Sequence, residues 1–257
     1  MIIKTEEIIF RGADTAFLSR KAKTVCDIFS YQPENIEQTP LGNLYIVTQL
    51  SNVKDSGHLN NLLASIIKRE YYLSPRKGQF NSLQSALKKS NQHLADLASR
   101  GNLEWLGKIH FICASITEKN IFLTQVGDSK AYLFRENHLV NLSHKIIPGS
   151  EKPHPSKVFS SVVSGKIETE DKIILATPAI NDLFTQSGLR QILINQSNLP
   201  NISDQMNRVL REQQKPIPLA ILLLKAEADE VILKTNSSTK QIAKTITPPI
   251  DLKEIIK

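Results

Sequence analysis

The chain opens on short apolar blocks separated by turn residues. IIKTEEIIF (2–10), TVCDIFSY (24–31) and NLYIVTQL (43–50) read as strands. The period then lengthens. Leu59, Leu62, Leu63, Ile66 and Ile67 recur at helical spacing, as do Phe80, Leu83, Leu87, Leu94 and Leu97, which predicts two amphipathic helices. Strands return as IHFICASIT, NIFLTQV, KAYLFR and HLVNLS, with EKN and ENH as tight turns, and then as KVFSSVVSG and DKIILATP. Short helices around 179–196, a helix over 202–214 carrying Ile202, Met206, Val209 and Leu210, and the strand PLAILLL complete the pattern. Hairpin-connected strands with helices inserted in pairs point to an α+β domain whose helices pack outside antiparallel sheets.

The rhythm holds over 1–225 without linker or repeat. Residues 226–257 differ: polar residues scatter, an NSST cluster and a Pro-Pro occur, and charges balance. They read as a loosely ordered tail or linker, with one short strand at Val231–Leu233. At 257 residues and 40% hydrophobic content the chain is long enough for one large domain plus that tail. The net charge is +7, which raises the question of nucleic acid. Lys and Arg are spread along the chain, however, and no zinc-finger spacing or aromatic RNA-binding motif occurs, so a solvated basic surface is expected. Cys26 and Cys113 each lie in an apolar run, as reduced, buried thiols of a cytoplasmic protein do. The longest apolar run, LAILLL, is too short to span a bilayer. The opening residues MIIKTEEIIF do not read as a signal peptide.

One word stands out chemically. VGDS (126–129) puts a carboxylate, Asp128, on permissive backbone at a strand boundary. With its surroundings, VGDSKAYLFRENHLVNLS resembles the VGDSRAYL strand pair of the metal-dependent serine/threonine phosphatases of type 2C (PPM-type). GKIHFICASIT resembles the strand before it, DKIILATPAINDLF the "LATDGLTD" segment, LYIVTQL the "VVADG" strand and PIPLAILLL the closing "DNATVIVL" strand. The resemblance covers roughly residues 1–225. It implies a four-layer α-β-β-α sandwich of two antiparallel sheets flanked by helices. It also implies a site at one edge where aspartates hold two Mg²⁺ or Mn²⁺ ions for in-line hydrolysis of a phosphoester. Hard cations need oxygen ligands, and two of them clamp the attacking and leaving oxygens.

At three of the implied ligand positions the acid is missing. Gln49 stands where the family has the aspartate that bridges both metals. Pro178 stands at the Asp of "LATDG", and Lys215 at the Asp of the last strand. Three anions have become two neutral residues and one cation, which disfavours a pair of divalent ions there. Three acids match. Asp27 lies near the family's first metal-site aspartate, with Asp14 the poorer candidate for the same slot. Asp128 and Asp182 match residues of an outlying, weaker metal position. The bland readings are that Asp128 orders a turn through its side chain, that Asp182 sits in the first turn of a helix, and that Asp27 faces water from its strand.

Other chemistry is sparse. His144 and His154 share a proline-rich loop at no zinc-ligand spacing. Lys145, Lys152, Lys157 and Lys166 cluster near it as a solvated face or as attraction for a phosphorylated peptide. No P-loop, GxGxxG or HExxH occurs. The expectation is therefore a pseudophosphatase with no catalytic residue. It would need no cofactor, with weak Mg²⁺ or Mn²⁺ binding left at Asp27, Asp128 and Asp182. It would act as a binding or regulatory module for a protein partner, phosphorylated ones included. The alternative is a divergent phosphatase whose metal site is rebuilt from those three acids. The sequence leaves the oligomeric state open.

Overall fold

A computed structural model describes residues 1–10, 24–53, 55–145, 153–213 and 217–229. Ten strands form two five-stranded sheets. The first holds β1 (Ile2–Phe10), β6 (Lys130–Arg135), β7 (His138–Asn141), β9 (Lys172–Ala176) and β10 (Leu219–Glu227), in the order β1-β10-β9-β6-β7. The second holds β2 (Val25–Tyr31), β3 (Asn43–Leu50), β4 (Ile109–Ile116), β5 (Asn120–Val126) and β8 (Val163–Lys166), in the order β2-β3-β4-β5-β8. Every pairing is antiparallel. Helices α1 (Ser56–Leu73) and α2 (Gly78–Ser99) cover the second sheet; α3 (Ile180–Leu183), α4 (Gln186–Asn195) and α5 (Leu199–Arg211) cover the first. This is the α+β arrangement that the strand and helix order predicts, in the four layers that the family resemblance implies.

The period-2 alternation of the strands sets which residue enters which layer. Along β3, Leu44, Ile46 and Leu50 pack under α1 and α2, while Tyr45 and Val47 pack against the facing sheet. On β10, Leu219, Ile221 and Leu223 meet α4 and α5, and Leu222 and Leu224 enter the inter-sheet core. Thr48 therefore belongs to the helix-facing series and Gln49 to the inter-sheet series.

Local signals place the helix layer on the first sheet. Thr185 caps α4 by accepting a bond from the Gly188 N–H (3.0 Å), and Asn198 caps α5 by accepting from the Asn201 N–H (2.9 Å). The buried Lys172 donates from Nζ to the carbonyls of Leu193 and Gln196, both at 2.8 Å. Its cation satisfies the C-terminal end of α4, where the helix dipole favours positive charge. Burial lowers its pKa from the ordinary lysine value.

Some boundaries differ from the sequence reading. Of KVFSSVVSG only Val163–Lys166 is strand, because just those residues pair with β5. HLVNLS ends its strand at Asn141 and turns into a 3-10 segment. The last helix begins at Leu199, not 202, because Asn198 caps it. Phe80 is not on the buried face of α2: it is 39% exposed and rests on Phe122 at the end of the molecule. Strand β10 runs to Glu227, two residues past the expected end of the domain. The tail from residue 230 on, with the expected strand at Val231–Leu233, lies outside the described residues.

Tyr71 ties α1 to the second sheet and to the turn that leads into β3. Its hydroxyl is buried between the Leu41 carbonyl and Ser115 Oγ. Tyr71→Phe leaves those groups without this partner in a dry site, and denaturant titration is expected to show a loss of about 1–3 kcal/mol. An unchanged midpoint and slope would contradict that role.

Candidate functional site

The ends of β3 and β9 and the starts of β2, β4 and β10 meet at one edge of the sandwich, the edge where the sequence places Gln49 and Pro178. Strand register puts Cys26 opposite Gln49, and Gln49 opposite His110, in one row across β2, β3 and β4. The row faces the other sheet. Cys26 Sγ donates to Gln49 Oε1 (3.6 Å), and the Thr177 hydroxyl, on the first sheet, reaches the same sulfur. Thr177 Oγ1 also accepts from the Ala220 N–H (3.1 Å). Gln49 Nε2 donates in turn to Ser51 Oγ (3.2 Å), which also accepts from Thr24 Oγ1 (3.1 Å). A chain of neutral hydrogen bonds thus runs along this edge of the second sheet through Ser51, Gln49 and Cys26, with the Thr177 hydroxyl of the facing sheet against its sulfur end. Burial, and secondarily Asp27, pushes the Cys26 thiol up to about 12, with the Thr177 hydroxyl partly opposing the rise. The sulfur serves as a protonated link in this chain and not as a nucleophile.

The VGDS turn packs on His110. Gly127 has φ +65°, and a Cβ there would stand 2.6 Å from His110 Nδ1 and 2.7 Å from the Ile109 carbonyl oxygen. Only glycine fits this approach. The Asp128 backbone N–H donates to His110 Nδ1 at 3.0 Å. The turn is thus ordered by a main-chain bond to an imidazole and not by the aspartate side chain, which is exposed. An acceptor at Nδ1 requires a neutral ring with its proton on Nε2. Burial lowers the His110 pKa, and the Asp128 carboxylate opposes this in part.

Asp27 faces the other way. It lies opposite Thr48, in the helix-facing series, and its Oδ2 accepts from Asn60 Nδ2 of α1 at 2.8 Å. Asn60 Oδ1 accepts from Thr48 Oγ1 at 3.2 Å. The expectation that Asp27 faces water is corrected: it is half-buried and belongs to a polar triad beneath α1. Asp182 is exposed in the first turn of the four-residue α3, beyond Pro178 and the buried Ala179. Lys215 and Asp14 lie outside the described residues, as do Lys152 and the side chains of His144 and Lys145. His154 is exposed, with Ser156 Oγ 2.9 Å from its Nδ1.

The structure therefore brings Cys26, Gln49, His110, Thr177 and the Asp128 turn to one edge and turns Asp27 away from it. Among the described residues, no three His, Cys, Asp or Glu side chains are grouped so as to hold a metal ion. This donor set, an amide, a thiol, a hydroxyl and an imidazole already accepting a backbone bond, does not fit a pair of hard cations. His110, Thr177 and Asn60 were not singled out in the sequence. Asn60 left a trace there, as a polar residue among the apolar positions of its helix (1% exposed). Thr177 and His110 become visible only through sheet register.

No protein-family model and no curated protein matches the chain. Solved structures do. A serine/threonine phosphatase of Mycobacterium tuberculosis, PstP/Ppp, is 12% identical, covers 89% of this chain and 100% of its own, and superposes with a TM-score of 0.60. PppA, a regulatory component of the T6SS in Pseudomonas aeruginosa, is 13% identical over 88% of this chain and 98% of its own (TM-score 0.64). Stp1 of Staphylococcus aureus is 16% identical over 89% and 96% (TM-score 0.61). A PstP catalytic domain has been solved with 2 manganese ions. At these identities the likeness establishes the fold.

The His110 turn has a pH signature. Its folded pKa lies below the ordinary 6.5, so on acidification the unfolded chain binds the proton first. The stability it contributes is complete above about 6.5 and is lost as pH falls below that value. Thermal melts should show a falling Tm from neutral to mildly acidic pH. His110→Asn, which keeps an acceptor near Nδ1, should flatten that slope; an identical slope in the variant would show that His110 is not its source.

Proposed function

We propose that this chain, which has the fold of the metal-dependent serine/threonine phosphatases, is a pseudophosphatase: a domain that does not hydrolyse phosphoesters and works by binding a protein partner. The observation that carries this reading is the state of Gln49. At the position where the resemblance puts a metal-bridging carboxylate, a neutral carboxamide is held by Cys26 and Ser51. Pro178 stands at a second ligand position, and Lys215, read from the sequence, at a third. The amide, thiol, hydroxyl and imidazole gathered at this edge do not suit metal-assisted hydrolysis.

The divergent-phosphatase alternative needs Asp27, Asp128 and Asp182 to converge. Asp27 would have to leave Asn60 and cross to the opposite face of its strand, reversing the register of a strand paired along seven residues. Both Cys26 and Cys113 are free thiols, and the proposal places the chain in the cytoplasm. No helix among the described residues is long and apolar enough to cross a membrane.

Two measurements test the reading. Purified protein with Mn²⁺ should turn over neither p-nitrophenyl phosphate nor a phosphothreonine peptide above a metal-free blank. Calorimetry should find no Mn²⁺ binding tighter than about millimolar. Metal-dependent turnover that disappears in Asp128→Ala would overturn the proposal. Gln49→Asp puts a carboxylate beside a protonated thiol and severs the link to Ser51. It should cost about 1–3 kcal/mol, a loss that Mn²⁺ does not restore. Recovery of stability or activity by metal would argue for a retained site.

A further inference from the structure

The end of the sandwich away from Gln49 carries a second feature. Strand β3 starts there at Asn43, about 20 Å from Gln49 at strand rise. A groove of about 1100 Å³ opens at this end between the starts of β1 and α2 and the β4–β5 turn. It exceeds the usual range of small-molecule pockets, about 300–1,000 Å³, and it is open to solvent. Its walls combine apolar and cationic groups. Phe80, 39% exposed, packs against Phe122 with tilted rings 5.7 Å apart, and Ile2, 44% exposed, also lines the groove. Lys77 and Lys119 are exposed on its rim, and Arg76 adjoins Lys77. Glu118, the single acidic residue lining it among the described residues, has its carboxylate 3.7 Å from the Met1 ammonium. The first turn of α2, which forms one wall, contains no acid.

We infer that this groove is a docking surface for an extended, acidic segment of a partner protein, with an aromatic or aliphatic side chain seated against Phe80. Exposed aromatic area next to unpaired cations is the composition that recognises such a segment, and charge complementarity selects the acidic one. The chain's own residues 230–257 carry five lysines against three acids and are the wrong sign. Two lysines do not make the cationic track that a nucleic-acid backbone requires. The inference is independent of the cleft at the other end and holds whether or not that cleft hydrolyses phosphate.

The test pans a random phage-displayed peptide library against the full chain. Selected peptides should pair Asp or Glu with an aromatic or aliphatic residue, and should bind more weakly as salt rises. Lys77→Glu/Lys119→Glu, both surface changes, should weaken binding about tenfold or more, and Phe80→Ser should weaken it separately. Circular dichroism confirms that the variants fold. Failure to select any peptide, selection of neutral or basic peptides, or equal binding by the charge-reversed variant would overturn the proposal. So would displacement of the peptide by oligouridylate. Photocrosslinking from Phe80→benzoylphenylalanine into residues 230–257 would also overturn it, because the tail would then fill the groove.

Discussion

Burial of each sheet on two faces is the constraint from which the rest follows. The central strands of both sheets give one set of side chains to helices and the alternate set to the opposite sheet. Neither set can carry unsatisfied polar groups at low cost. Chemistry is thereby confined to the ends of the strands. The sandwich has two such ends, one holding the Gln49 chain and the other the Phe80 groove. Thr48 and Asp27 are tolerated inside the helix-facing layer only because Asn60 satisfies both.

The same constraint explains what the sequence made legible. Strands buried on both faces leave dense apolar blocks, and helices leave a repeating apolar stripe, so element order and layering could be read directly. The VGDS turn was readable because Gly127 needs positive φ and a close approach to His110. Side-chain direction within a strand was harder to read. Asp27 and Cys26 are adjacent in sequence but enter opposite layers, and only the pairing with Thr48 and Gln49 decides which goes where. Phe80 misled because its spacing suits the buried stripe of α2, while its place at the helix start puts it beyond the core. The network through Thr177 was invisible for another reason: it crosses between sheets whose strands lie far apart in the chain.

The comparison with bacterial phosphatases of known structure has a physical meaning as well. A backbone can be retained at 11–16% identity when the pattern of layers is preserved, since cores accept many apolar combinations of similar volume. The edge where the ligand positions fall is under a different demand. If metals bind, their charge offsets clustered carboxylates that would otherwise repel. Gln49, Thr177 and Cys26 are neutral and need no such offset.

The Cys26 thiol gives that seam one further property. Burial raises its pKa, so at neutral pH the sulfur stays protonated. Peroxides and disulfides react with the thiolate, so the sulfur is slow towards both even though it is not fully enclosed. A cysteine at this position therefore keeps its proton and its bond to Gln49 where an ordinary surface thiol would be open to oxidation.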